Sequence, residues 1–372
     1  MSFPSLYRAE VAVMALVANL VACTGEPELV EDAGPDTDAD TDADTDTDTD
    51  SDSDTDSDTV PWSTPEVAGV LLSVWGSGPE DVYAGGAGQT LLHGSGFTWE
   101  LLPLPEGAVA SDIHGSAWNS IYVAAGPSYG GEYRMLRYDG AVWSDVEPAV
   151  NDTNYPVSIW VFGIDDVFII TTWVLPMLPG VYGTSVAHFD GTAWSGVWSD
   201  EFASGYDGQR NFEDMAGTED GQLFAVGVSH ISHEGEPSAV VSDGVAWWKE
   251  DVPEPDLHGV WALDAENVWA VGDGGAVLER GDAAWEHEDA PTSARLDGIF
   301  GWSADEQIAV GDGVILNKNG AAWELQDVPA DGALLHGVWG ASPTDVYAVG
   351  ELDGGALILH YDGVAWLIVY GG

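Results

Sequence analysis

Four residues with chemistry to offer, Glu213, His258, Asp297 and His336, occupy one recurring position of a repeated unit, two residues before an apolar residue of a short strand. Leu72, Ser111 and Ile159 take that position in the remaining units. A carboxylate, an imidazole, a second carboxylate and a second imidazole from consecutive units, converging on a channel mouth, are what a metal centre or an acid/base pair requires. A plainer expectation competes, because polar residues at such a mouth are commonly only solvated and nine histidines over seven units align in part by chance. No nucleophile–base pattern, close Cys/His metal spacing or phosphate loop accompanies them. The expected catalytic and metal sets are therefore empty, and the four are candidates for ligand binding. Tyr129, Tyr133, Trp173 and Tyr182, on the long segments 126–134 and 172–185, add a stacking surface for a sugar or peptide.

The elements that must position these residues are short. Trp99, Trp143, Trp194, Trp247, Trp285, Trp323 and Trp366 each follow a Gly, by three residues in six units and by four at Trp285, at spacings of 44, 51, 53, 38, 38 and 43. A period near 40 to 50 with strand-like content signals a radial or solenoid repeat. The last unit reads as four strands, 334–340, 345–350, 356–363 and 365–370, rich in Val, Leu, Tyr and Trp and bounded by Gly, Pro or Asp. No stretch from 60 onward keeps a helical apolar period. Four strands per unit in a closed count predict an all-β, seven-bladed β-propeller of four-stranded antiparallel blades, with six or eight blades as the alternatives. The blades are expected at about 71–105, 110–150, 156–202, 210–255, 256–293, 294–332 and 333–372. The recurrent Trp is expected to pack between adjacent blades, and the Asp-Gly before it to make a tight turn.

An aromatic before Asp-Gly, with a Gly upstream and a Trp three residues beyond, resembles the kelch repeat. The resemblance is carried by Gly350…Tyr361-Asp362-Gly363…Trp366, Gly126…Tyr138-Asp139-Gly140…Trp143 and Phe189-Asp190-Gly191…Trp194. The kelch double Gly is present only as Gly85-Gly86, and the Gly-x-x-Trp half also looks like the Asp-box of sialidase-type propellers with the Asp one residue closer to the Gly. Whole units such as LHGVWGASPTDVYAVG…ILHYDGVAW are most similar to surface lipoproteins of myxobacteria and related deltaproteobacteria, over about 300 residues. That resemblance implies architecture and address, and almost nothing about chemistry.

The N-terminus carries the address. Residues 11–22, VAVMALVANLVA, form a 12-residue apolar run after Arg8, too short to span a bilayer and suited to a secretion signal. The run ends Leu20-Val21-Ala22-Cys23, which looks like a bacterial lipobox, so residues 1–22 are expected to be a lipoprotein signal peptide and Cys23, the sole cysteine, the lipidation site. From Asp36 to Asp58 every second residue is Asp. Such a tract has nothing to bury and repels itself, so 23–60 reads as a disordered stalk, followed by the propeller at 61–372. Its Asp-x-Asp spacing resembles the start of a calcium loop but lacks the Gly and terminal Glu of one, leaving weak Ca²⁺ association as the only cofactor expectation.

Charge narrows the partners. Sixteen of the 64 acidic residues lie in 26–59 and one is Glu10, leaving 47 against 7 basic residues from 60 onward, a net charge of −40. Phosphate binding needs a basic footprint, so nucleic acid is excluded as a default partner, and the membrane is expected to be met only through the lipid anchor. A saline-tolerant solubility role or a cationic partner fits the same charge. Three readings compete. The first is a monomeric, non-catalytic propeller at the outer membrane surface that binds protein or glycan through its long-loop face. The second is a polysaccharide hydrolase or lyase using Glu213 and Asp297, and the third a structural envelope protein. A copper oxidase needing a Tyr/Cys pair is excluded by the position of the one cysteine.

Overall fold

A computed structural model describes residues 69–104, 108–127, 134–146, 154–174, 182–199, 210–229, 239–253, 255–281 and 284–371. They form 28 strands in seven four-stranded antiparallel sheets, each sheet built in chain order from one contiguous unit. This is the seven-bladed β-propeller expected from the repeat, with one 3-10 turn, Asp273–Gly275, among the described residues. The innermost strands are β1 (Leu71–Gly78), β5 (Ala108–Ala117), β9 (Asn154–Gly163), β13 (Arg210–Gly217), β17 (Leu257–Asp264), β21 (Leu296–Ser303) and β25 (Leu334–Ser342). Each touches the next around the axis, and β25 touches β1, so the ring is closed.

Interlocking side chains produce that closure. A Cβ placed on Gly115 would lie 2.7 Å from the Trp75 ring, on Gly217 2.3 Å from Trp160, and on Gly301 2.8 Å from Trp261. The Gly at this inner-strand position is thus a notch for the aromatic of the preceding blade. The same fit joins the last blade to the first, where a Cβ on Gly76 would lie 2.6 Å from Trp339. Two blades differ: in the third the notch is filled by Val161, and the preceding knob is His114, whose Nδ1 accepts from Val161 N at 3.0 Å, and in the fifth Ala262 takes the position, with Ala216 in the preceding blade.

Farther out, the repeated Trp seals the blade interfaces. Trp99 meets Tyr347 of the last blade edge-on at 5.8 Å, and Trp143 meets Tyr83 at 6.3 Å. Trp194 packs in the cluster of Tyr122, Trp247 with Phe168, Trp285 with Phe224, Trp323 with Trp269 and Trp366 with Ile308. Every one lies against the second strand of the preceding blade. The Asp-Gly turns behave as their chemistry requires: Gly140, Gly191, Gly244 and Gly363 have φ between 84° and 90°, a region favourable to Gly. The preceding Asp139, Asp190, Asp243 and Asp362 accept from the amides two and three residues on.

Candidate functional site

The recurring polar position is a β-bulge. Pairing of each inner strand with the second strand of its blade skips one residue, at Leu72, Ser111, Val157, Glu213, His258, Asp297 and His336. A bulge leaves one residue outside the ladder and re-aims its side chain. Here it turns that side chain towards the rim where the inner strands begin and the second strands end. The third-blade assignment needs correction: Ile159 pairs in register with Ile169 and is buried at 1% exposure, and the bulged residue is Val157. The run Ser158-Ile159-Trp160-Val161-Phe162-Gly163 offers two frames two residues apart, and the packing of Trp160 into the Gly217 notch selects the earlier one.

The structure brings the four polar candidates into two contacting pairs and adds partners. His258 Nδ1 lies 2.6 Å from Glu213 Oε2, across the interface between the fourth and fifth blades, and Nε2 lies 2.9 Å from Asp273 Oδ1. The His258 side chain is only 4% exposed. Burial alone would depress its basicity, but the hydrogen bonds to Asp273 and Glu213 outweigh it and push the imidazole up to about 9. Asp273 is correspondingly held below the usual carboxyl range by His258. In the sixth blade Arg295 donates from Nε to Asp297 Oδ1 at 2.6 Å, and His336 Nδ1 of the seventh stands 3.8 Å from Asp297 Oδ2. Burial would raise Asp297, yet His336 and Arg295 hold it below its ordinary value.

Asp273, Arg295 and Asp312 were not among the sequence candidates. Asp273 and Asp312 each follow the Gly that ends a second strand, and their amides donate at 3.0 Å to the carbonyls of Asp256 and Arg295. Glu351 follows Gly350 in the seventh blade and pairs with Leu334. The signal was present as Gly272-Asp273, Gly311-Asp312 and Gly350-Glu351, three acids in one register. The Asp312 carboxyl is raised by partial desolvation and then by the charge of Asp297. An open depression lined by Pro255, Asp273, Gly274, Ala276, Ala290 and Thr292 adjoins this arc.

Chemically the rim fixes charge. A cationic imidazole is clamped between two carboxylates, and a guanidinium is locked on a third. Glycoside hydrolysis pairs a protonated carboxylic acid with an ionised carboxylate; Asp297 is held ionised, and Asp312 is raised. Among the described residues no group of three or more His, Cys, Asp or Glu is arranged to hold a metal ion. Among the described residues Arg280 is buried on Glu250 at 2.6 Å, far out on the fourth and fifth blades, Arg295 is bound to Asp297, and Arg134 faces Asp145.

Trp173 and Tyr182 sit at the ends of strands Asp166–Val174 and Tyr182–Phe189, which pair through Val174 and Tyr182. Their side chains, with Tyr129, Tyr133 and Cys23, lie outside the described residues. The same holds for the signal peptide and the stalk.

No protein-family model matches the chain, and no curated protein matches it. Solved structures do. YCF48 bound to D1 peptide aligns at TM-score 0.59 with 18% identity, over 80% of this chain and 94% of that one. YCF48 from Cyanidioschyzon merolae aligns at 0.58 with 15% identity, over 79% and 96%. The WD40 β-propeller domain of Doa1 aligns at 0.52 with 9% identity, again over 79% and 96%. What these likenesses share with the chain is the propeller fold.

Proposed function

We propose that this is a non-catalytic propeller that binds a protein partner, or failing that a glycan, on the rim where Glu213, His258, Asp297 and His336 meet. The observation that carries the reading is the asymmetry of that rim. In blades two to four the sequence between the second and third strands is long and differs from unit to unit, whereas in blades five to seven it is short and Asp273, Asp312 and Glu351 stand in register. Insertions confined to one side of a repeat array tend to mark its binding side. The bare arc has more carboxylates than cations, so a segment bearing Lys or Arg is the complementary occupant. A propeller of the same fold has been captured with a peptide, YCF48 with D1 peptide, which supports a peptide as the kind of ligand such a ring accommodates.

The kelch-like surface-lipoprotein resemblance, with acylation at Cys23 and an acidic stalk, belongs to the same proposal. Gly69, where the described chain begins, lies on this rim too, since Ala87 N donates to Val70 O at 2.8 Å. Binding of the full chain to peptide and glycan arrays, beside an E213Q/H258N/D297N variant, tests the proposal. Basic peptides should be retained and lost in the variant. Retention unchanged in the variant, or no binding to either array, counts against it.

A further inference from the structure

Small residues hollow out the rim beside His258. Between the second and third strands of the fifth blade the chain reads Asp273-Gly274-Gly275-Ala276. Gly274 and Gly275 have φ of 70° and 75°, a left-handed pair open to Gly at no steric cost. A Cβ on Gly275 would lie 2.2 Å from Thr292 O, so the loop closes directly onto the connection that leads to the sixth blade. A Cβ on Gly274 would meet nothing within 4 Å. With Pro255, Ala276 and Ala290 as its apolar wall, the resulting depression measures about 510 Å³ and is open to solvent.

The charged groups on and around this hollow are unevenly engaged. Asp273 gives Oδ1 to His258 Nε2 at 2.9 Å, and its Oδ2 has no hydrogen bond among the described residues. Asp289 is exposed and makes no hydrogen bond or ion pair among them. Glu288 turns inward, onto Lys318 Nζ at 2.7 Å and the indoles of Trp269 and Trp323. The nearby cations are taken as well: His258 by Glu213 and Asp273, Arg295 by Asp297, with His336 3.8 Å from the same Asp297. Of the lining residues only His287 can carry positive charge, and it is exposed. Two unengaged carboxylates against one imidazole leave the hollow acidic.

We propose that this depression anchors one arginine side chain of the partner, its methylenes against Pro255, Ala276 and Ala290 and its guanidinium on the free oxygens of Asp273 and Asp289. The seat deepens the rim binding proposed above and rests on it for its partner. Charge complementarity selects a cation. A guanidinium suits the place better than an ammonium, because its planar fork offers five donors to two separate carboxylates and is more weakly hydrated. The apolar wall covers the stem of a long side chain, a contact that a bare metal ion lacks.

Titration of the isotope-labelled full chain with N-acetyl-arginine methylamide, followed by amide chemical shifts, tests the seat with no partner in hand. The amides of Gly274, Ala276 and Ala290 should shift saturably in the millimolar range, and the matching citrulline compound, similar in shape but uncharged, should leave them in place. Asp289→Asn, a change at an exposed residue, should weaken the arginine probe by roughly threefold to fivefold, the loss of one ion pair open to water. Gly274→Asn keeps a residue type tolerated in the left-handed region and puts a side chain into the hollow, so it should abolish the shifts at Ala276 and Ala290. No saturable shift at the three amides of the unaltered chain, or equal shifts from arginine and citrulline, overturns the proposal. The array comparison tests the rim separately. Peptides retained there without an arginine shift remove the seat and keep the rim, whereas an arginine shift with no retained peptide does the reverse.

Discussion

His258 sets the charge arrangement of the rim, because removing its ring leaves Glu213 and Asp273 facing each other without a cation. Replacement by Ala should destabilise the fold by about 1–3 kcal/mol, the usual cost of leaving hydrogen-bonding groups without their partner, read by urea unfolding at pH 7. The sign with pH is defined. An imidazole raised in the folded state to about 9 contributes fully below its unfolded value near 6.5 and loses that contribution as the pH rises through about 9. Urea midpoints at pH 6, 8 and 10 should therefore show a decline that the Ala variant lacks. At this scale the sequence was partly legible. Glu213, His258, Asp297 and His336 share a position that alignment of the units finds, because a bulge recurs at the same place in the repeat. Asp273 and Arg295 were hidden for a physical reason: their role depends on how a turn and a preceding loop fold back onto the neighbouring strand. Asp-Gly-Gly reads equally well as an ordinary turn.

Between blades, the clearest element is a substituted contact. At four interfaces the residue three past the Trp lies with the residue before the Asp-Gly turn, or its equivalent, in the next blade. Val146 packs with Phe189 in one cluster, and Leu102 with Tyr138 in another. At the next two fully paired interfaces the partners are charged. Glu250 takes Arg280 Nε at 2.7 Å and Nη2 at 2.6 Å, and Glu288 takes Lys318 Nζ at 2.7 Å. Each carboxylate also accepts an indole N–H, from Trp285 at 3.0 Å or Trp323 at 2.5 Å. Glu250→Gln should cost about 3–5 kcal/mol, since it strands a buried guanidinium. The double change E250V/R280F, which restores the apolar pair seen between Val146 and Phe189, should be neutral or stabilising for the same reason. Urea unfolding of both variants checks the pair. Strands were easily read from alternating apolar residues and Gly or Asp punctuation, whereas these ion pairs were not, because they join residues 30 apart whose proximity exists only once the blades stack.

At the level of the whole ring, the first and last blades are each complete and no strand is exchanged between them among the described residues. Closure rests on Trp339 in its Gly76 notch, on Trp99 against Tyr347, and on Gly96 N donating to Tyr347 Oη at 2.9 Å. Gly76→Val should destabilise by about 1–3 kcal/mol through overpacking at this seam, visible as a lower thermal midpoint. The ring has two faces of different character: the rim with the mixed-charge cluster, and the opposite one, where turn residues such as Val245 and Val364 stand 91% and 86% exposed. The central claim is that the rim carries the partner. The most direct test places a photo-cross-linking residue at Asp273, Asp312 or Glu351 of the full-length chain, and separately at Val245 or Val364, in the cells that make it. One common partner adduct from the three rim positions, and none from the other two, is the expected result. The same adducts at all five positions, or adducts from Val245 and Val364 alone, would contradict it.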